Sequence, residues 1–282
     1  MARVVVADEA GACFGVERAL SMVLAEAKEA KGPVHTLGPL IHNPVVVEDL
    51  GRRGVSVVED PQEAQAGSTI FMRTHGVTPE VEEHAKQLGL RVLDATCPFV
   101  KKVHRAAEQL AEQGYQVIVV GESGHPEVEG TVGHAPGAVV VGSPGELKDV
   151  EVLRRVGLVV QTTLAQDTLR SVVAALVGRC DELRLIDTIC DATEKRQKAA
   201  AQLASQADVM VVIGGRNSAN TTHLAQICST ACKRTHHVEL PDELELEWFA
   251  GADLVGITAG ASTPASQIEA VRSRVSEFLV SE

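Results

Sequence analysis

The sequence is poor in aromatic residues: one Trp, one Tyr and five Phe make up 2% of its 282 residues. Recognition of single-stranded nucleic acid by base stacking needs aromatic platforms, and this chain has almost none to offer. It also lacks a cationic surplus. Its net charge is −12, from 26 Lys and Arg against 38 Asp and Glu, whereas a phosphate-backbone or anionic-membrane partner calls for a clustered cationic face. Long apolar runs are missing too. Val117-Ile118-Val119-Val120 and Val209-Met210-Val211-Val212-Ile213 are among the longest, far short of the ~20 residues that span a bilayer, and no signal-type apolar segment follows Met1. The expected partners therefore include no nucleic acid and no membrane, and the expected location is cytoplasmic. The six Cys show no close pairing. In a cytosolic chain that usage points to metal binding or catalysis rather than to a disulfide framework.

What is present is a 45% hydrophobic chain, long enough to bury a substantial core, and a pattern that occurs three times. Arg3-Val4-Val5-Val6-Ala7-Asp8 leads to Cys13, Arg91-Val92-Leu93-Asp94-Ala95-Thr96 to Cys97, and Arg184-Leu185-Ile186-Asp187-Thr188-Ile189 to Cys190. Each reads as a buried strand, an acidic residue, small residues, a cysteine and then a helix. The cysteines lie 84 and 93 residues apart and 92 residues follow the last, so the chain divides into near-equal thirds. Strands are expected at 34–37, 55–58, 69–72, 115–120, 138–141, 158–160, 209–213, 235–238 and 254–258. Helices are expected from about Gly15, at 45–53, 79–88, from Pro98, at 169–177, after Cys190, at 221–228 and at 266–278, with 121–127 read as a polar loop. Such alternation predicts α/β units with parallel sheets.

In open parallel sheets ligands sit beyond the carboxyl ends of the strands. The loops at those ends carry His42, His75, His125, Glu127, Thr162, Thr163, Ser218, Asn220 and Ser262. Most are neutral or cationic donors, several at expected helix starts, where backbone N–H groups and the helix dipole favour a phosphate or diphosphate. A threefold arrangement would bring Cys13, Cys97 and Cys190 together, and a cysteine that opens a helix is stabilised as thiolate. Three thiolates are one short of the usual set for a [4Fe-4S] cluster, which leaves one iron open to substrate. Such an iron is a Lewis acid for a hydroxyl, and the cluster is a source of electrons. Glu127, the one carboxylate placed in this ring, is the expected proton donor.

Blander readings apply elsewhere. Cys180, Cys228 and Cys232 read as structural, and His35, His84, His104, His134, His223, His236 and His237 as surface or satisfied histidines. Thr162, Ser218 and Ser262 taken singly would be ordinary helix caps, and Gly214-Gly215 has no nucleotide-loop pattern around it.

The ordered motifs Cys13-Phe14-Gly15-Val16, Ile41-His42-Asn43, Thr74-His75-Gly76-Val77, Asp94-Ala95-Thr96-Cys97-Pro98, Gly124-His125-Pro126-Glu127-Val128-Glu129-Gly130, Gln161-Thr162-Thr163-Leu164, Thr188-Ile189-Cys190, Asn217-Ser218-Ala219-Asn220 and Thr258-Ala259-Gly260-Ala261-Ser262 resemble those of the 4-hydroxy-3-methylbut-2-enyl diphosphate reductases of the non-mevalonate isoprenoid pathway. The resemblance covers essentially the whole chain. It implies a trefoil of three similar α/β domains, pseudo-threefold around a central iron–sulfur site: 14–97, 98–190, and 191–282 joined by the strand at 1–13. It implies a [4Fe-4S] cluster on Cys13, Cys97 and Cys190. It implies that His42, His75, His125, Ser218, Ala219, Asn220 and Ser262 bind the diphosphate end of a small allylic substrate, and that Glu127 and Thr162, with His125, serve the reacting end. The implied reaction is reductive dehydroxylation to isopentenyl and dimethylallyl diphosphate, fed by an external donor such as ferredoxin or flavodoxin. Two positions depart from the pattern: Ala219 stands where some relatives have a hydroxyl residue, and Ala265 where an acidic residue is common. Two other classes share part of the signature. An iron–sulfur redox sensor needs the thiols but not the diphosphate donors, and a metal-dependent phosphate-ester hydrolase needs the donors but is indifferent to reductant.

Overall fold

A computed structural model of the chain describes residues 2–280. In chain order its elements are β1 (Arg3–Val6), α1 (Phe14–Glu29), β2 (Val34–Leu37), α2 (Pro44–Arg52), β3 (Val55–Val58), β4 (Thr69–Met72), α3 (Pro79–Gln87), β5 (Arg91–Asp94), α4 (Pro98–Glu112), β6 (Gln116–Val120), α5 (Pro126–Gly133), β7 (Val139–Val141), β8 (Arg155–Val160), α6 (Gln166–Leu176), β9 (Glu182–Leu185), α7 (Asp191–Ala204), β10 (Val209–Ile213), α8 (Ala219–Ala231), β11 (Thr235–Val238), β12 (Leu254–Ala259) and α9 (Ala265–Val280). Among the described residues the strands form three four-stranded sheets, ordered β3-β2-β4-β5, β7-β6-β8-β9 and β11-β10-β12-β1. Every pairing is parallel. The α/β class expected from the alternation is therefore the observed one, and the three sheets share one topology. In the last sheet the fourth place is taken by β1, from the other end of the chain.

The strands that lead to the cysteines were expected to be buried, and here the structure differs. β1, β5 and β9 are the edge strands of their sheets, and each is half-exposed. An edge strand has a neighbour on one side only, so Arg3, Arg91, Glu182 and Arg184 reach solvent, and charged edge residues discourage pairing with other chains. The fully buried strands are central ones: β4, β10 and all but the first residue of β6, β8 and β12.

The chain packs as two compact units. One contains β1, the start of α1, the 41–49 segment and the described residues from Asp191 onward; the other contains 18–40 and 50–190. In the first, alternation along β10 divides the core. Val209, Val211 and Ile213 join Val255, Ile257, Phe249, Val271 and Val275 on one face, while Met210 and Val212 join Ala200, Leu203, Leu224 and Cys228 on the other. Met210 is in register with Gly256, and a Cβ at Gly256 would run into the Met210 sulfur and lie 2.9 Å from Leu203 Cγ. In the second unit, Val117, Val119 and Val159 pack on the Val103, Ala106, Ala107 and Leu110 stripe of α4. Ile118, Val120, Leu158 and Val160 pack on Leu169, Val172 and Leu176 of α6. Each such Val or Leu contributes about 1.5–3 kcal/mol when buried, and coverage of both faces is what an all-parallel sheet requires.

One helix lies outside the expected set. α5 begins inside the stretch expected to be polar loop, with His125 as N-cap and Pro126 at the first helical position. The glycines at 130 and 133 hide it from a periodicity reading, yet proline is well suited to a first helical position. Among the described residues no helix is long and apolar enough to cross a membrane.

Candidate active site

In the unit containing 50–190, the turn after β4 presents His75 between Thr74 and Gly76. The Thr74 hydroxyl and amide both donate to the Leu40 carbonyl, at 2.9 and 3.2 Å, and Gly76 takes φ +77°, a left-handed conformation that favours glycine. The chain then runs directly against α5. A Cβ at Gly130 would lie 3.5 Å from the backbone of Gly76 and Val77, and one at Gly133 would lie 2.5 Å from Thr78 Cβ. This close approach joins the His75 turn to the helix that carries the next two candidate residues. The rings of His75 and His125 meet edge-on, 5.6 Å between centroids.

His125 caps α5: its Nδ1 accepts from the Glu127 N–H at 3.1 Å. A backbone N–H can only donate, so Nδ1 carries the lone pair and the ring's own N–H is at Nε2, a donor suited to an anion. Burial, followed by the Arg73 guanidinium, pushes the His125 pKa down to about 4. The ring is thus a neutral hydrogen-bond donor near pH 7.

Glu127, in the first turn of the same helix, is 2% exposed. One carboxyl oxygen accepts from the Thr162 N–H at 2.6 Å, and the other is 2.8 Å from the Thr162 hydroxyl. Burial pushes the Glu127 pKa up to about 7, and the two bonds from Thr162 hold it down against that. A carboxyl group that is part protonated at neutral pH is matched to giving or taking a proton. Gln161, buried beside it, accepts from the Glu122 N–H at 2.9 Å and donates to the Thr163 hydroxyl at 3.2 Å. It is a bracing residue that sequence reasoning passed over.

The cysteine amides are fastened to these same loops. The Cys97 N–H donates to the Thr74 carbonyl at 3.0 Å, and the Cys190 N–H to the Thr162 carbonyl at 3.0 Å. In the other unit the Cys13 N–H donates to the Ala261 carbonyl at 3.1 Å, next to Ser262. Each of the three residues stands immediately before a helix and is half-buried, and none is in a disulfide. Cys228 and Cys232 contrast with them. Both are buried among Ala200, Met210 and Leu224, and burial pushes the Cys228 thiol up to about 12, as the structural reading of that pair expects.

The unit containing Cys13 also holds His42, Ser218, Ala219, Asn220 and Ser262. Asn43, not singled out from the sequence, ties their loops. Its amide donates to the Ser262 carbonyl at 2.8 Å and to Gln267 at 3.0 Å, while its oxygen accepts from the Val45 N–H at 3.1 Å at the start of α2. The loop after β10 comes down on His42: a Cβ at Gly215 would lie 2.8 Å from the His42 carbonyl oxygen. Ser218 is the N-cap of α8 and accepts from the Thr221 N–H at 3.3 Å. Two residues on, Asn220 is 7% exposed, and neither its amide nitrogen nor its oxygen has a hydrogen-bond partner. Leaving a buried polar group unpaired costs about 1–3 kcal/mol, which is a reason to look for a ligand there.

The twelve candidate residues thus divide between the two units. Cys13, His42, Ser218, Ala219, Asn220 and Ser262 lie in one, and His75, Cys97, His125, Glu127, Thr162 and Cys190 in the other. Among the described residues no three His, Cys, Asp or Glu side chains form a group for a single metal ion. Thiols such as those of Cys13, Cys97 and Cys190 are the donor type that iron–sulfur clusters take.

Comparison with known proteins agrees with this architecture. The family model for LytB protein matches residues 4–276. The 4-hydroxy-3-methylbut-2-enyl diphosphate reductase of Geobacter sulfurreducens is 48% identical over 276 residues, 98% of this chain and 97% of its own. That of Aquifex aeolicus is 43% identical over 282 residues, 99% and 97%. A solved structure of (E)-4-hydroxy-3-methyl-but-2-enyl diphosphate reductase, described as the terminal enzyme of the non-mevalonate pathway, superposes with TM-score 0.74 at 43% identity, covering 98% of this chain and 100% of that one. The Plasmodium falciparum E-1-hydroxy-2-methyl-but-2-enyl-4-diphosphate reductase gives TM-score 0.89 at 27% identity, covering 94% and 85%. With a family model matched over nearly its whole length and relatives this similar end to end, the chain belongs to the LytB protein family.

Proposed function

We propose that this chain catalyses the reductive dehydroxylation of 4-hydroxy-3-methylbut-2-enyl diphosphate to isopentenyl and dimethylallyl diphosphate, the last step of the non-mevalonate isoprenoid pathway. It is an oxidoreductase with a [4Fe-4S] cluster, and the thiolates that hold it are those of Cys13, Cys97 and Cys190. When bound, the cluster supplies electrons one at a time and a Lewis-acidic iron with room for a ligand other than thiolate.

The chain's own residues divide the remaining work. His42, Ser218, Asn220 and Ser262, with His75 and the Nε2–H of His125, donate hydrogen bonds to the diphosphate, and Ala219 contributes its place at the α8 start. Held at the far end of the carbon skeleton, the diphosphate fixes the orientation of the hydroxymethyl group. Glu127, with a pKa near 7, gives a proton to the departing oxygen, so that water leaves, and the Thr162 hydroxyl orients the carboxyl group that does so. The observation that carries this reading is the Glu127–Thr162 pair: a buried, proton-poised carboxyl group whose hydrogen-bond partner is joined through its own carbonyl to the Cys190 amide.

The electron donor is an external low-potential protein such as ferredoxin or flavodoxin, and the location is cytoplasmic. The domain division we propose is 14–97, 98–190, and 191–282 with 1–13.

The decisive experiment is anaerobic reconstitution, with iron counting, a visible spectrum and turnover measured with and without dithionite. We expect about four irons per chain, dithionite-dependent consumption of the allylic diphosphate, and no cluster absorbance in Cys97→Ser. Phosphate release indifferent to reductant would indicate a hydrolase instead, and a cluster without tight diphosphate binding would indicate a sensor.

A further inference from the structure

His104 lies on the apolar stripe of α4, beside Val103 and Ala107, where a hydrophobic residue would be ordinary. The sequence reading took it for a surface or satisfied histidine, and it is neither. It is 6% exposed, and its Nε2 has no hydrogen-bond partner. Replacing an unsatisfied buried polar group by an apolar one of similar shape is neutral or stabilising in general, so packing alone does not account for an imidazole here.

Its surroundings do. A Cβ at Gly76 would lie 2.5 Å from His104 Cε1 and 3.1 Å from Nε2, and one at Gly130 would lie 3.4 Å from Nε2. The edge of the ring therefore rests on two bare stretches of backbone. Gly76 directly follows His75, and Gly130 is three residues beyond Glu127 on α5. On its flat side the ring stacks on His134, the C-cap of α5, with centroids 4.2 Å apart and planes at 23°. Burial, followed by the neighbouring His134, pushes the His104 pKa down to about 4, so the ring is a rigid, uncharged plate near neutral pH.

We propose that His104 is a positioning residue: seated against the junction where the His75 turn meets the Glu127 helix, it fixes the placement of His75 relative to His125 and Glu127. This rests on the reaction proposed above. A flat ring fits against two glycine backbones and stacks on a second imidazole; a branched aliphatic side chain does the first badly and the second not at all.

The test is His104→Leu, with His104→Gln as the milder variant, both as anaerobically reconstituted holoenzyme. Turnover per cluster, the pH–rate profile, affinity for inorganic diphosphate and Tm are compared with the parent. We expect His104→Leu to fold and to load the cluster normally, with Tm lowered by no more than a few degrees. Its turnover per cluster should fall about 100-fold, the loss that a misplacement of about 1 Å can produce. Its diphosphate affinity should fall several-fold, and its alkaline pH limb should move as the environment of Glu127 changes. His104→Gln, neutral and still polar, should lie between the two. A His104→Leu enzyme with parental turnover per cluster, diphosphate affinity and pH limb overturns the proposal, and so does a loss that merely tracks a lower Tm with the pH limb unmoved. Should His104→Leu fail to fold, His104→Gln decides by the same comparison. A parent enzyme without dithionite-dependent turnover would instead refute the reaction, and the diphosphate affinities would still judge the placement.

Discussion

The Thr162 carbonyl accepts the Cys190 amide at 3.0 Å, while the Thr162 N–H and hydroxyl both meet the Glu127 carboxyl group. One residue thus spans the loop of a candidate cluster ligand and the candidate proton donor. The backbone contacts survive side-chain substitution, so the hydroxyl can be tested alone. Thr162→Val should retain the cluster spectrum and lose about tenfold in turnover. The hydroxyl holds the Glu127 pKa down, so without it the alkaline limb of the pH–rate profile should move up. A limb that moves down would show that the hydroxyl does not favour the carboxylate.

Glu127 gives a second prediction, on stability. Its pKa is raised in the folded chain from 4.5 to about 7. A raised carboxyl pKa contributes stability that is fully present below the unfolded value and is lost as pH rises through the folded one. The sum is on the order of 3 kcal/mol between about pH 4.5 and 7. Urea midpoints across that window should fall for the parent and fall less for Glu127→Gln. The same variant should keep diphosphate affinity while losing about 10²–10⁴ in turnover.

Asn220 is unpaired in a buried setting, so its contribution should show in binding rather than in folding. Asn220→Ala should change Tm little and weaken inorganic diphosphate by about ten- to a hundredfold, equivalent to ~1–3 kcal/mol, as read by calorimetry on the holoenzyme. A large drop in Tm with unchanged affinity would assign it to the scaffold.

Gly256 gives a packing prediction distant from the chemistry. Gly256→Ala should destabilise by about 1–3 kcal/mol, because the added methyl meets the Met210 sulfur and Leu203 in a filled interior. Met210→Ala should cost about 2–5 kcal/mol alone, and the double variant should be more stable than the sum of the two predicts. Denaturant midpoints of the four chains settle it.

Much of this was legible in the sequence because the signals were local. Apolar runs such as Val209–Ile213 are read correctly from hydrophobicity and length, and the loop positions of Cys13, Cys97 and Cys190 follow from strand-then-helix order. What escaped depended on partners far away in the chain. The edge placement of β1, β5 and β9 is decided by pairing, which no window of residues contains. α5 escaped because two glycines, 130 and 133, break its apolar stripe, and they are there for a close contact with 76–78. His104 escaped because its neighbours are glycines, whose meaning lies in what they admit. Asn43 escaped because its partners, Ser262 and Gln267, are more than 200 residues away.

The pairing of Arg3 with Leu254 has a consequence for how the chain is born. On the ribosome the first strand emerges long before β12, the strand it pairs with, has been made, and such distant contacts form late in folding. Until translation passes residue 259 the strand before Cys13 has no ladder to join, and Cys13 has no Ala261 carbonyl to anchor its amide. The loop that carries Cys13 is accordingly the last of the three cysteine loops to be fastened, when the chain's final strand arrives.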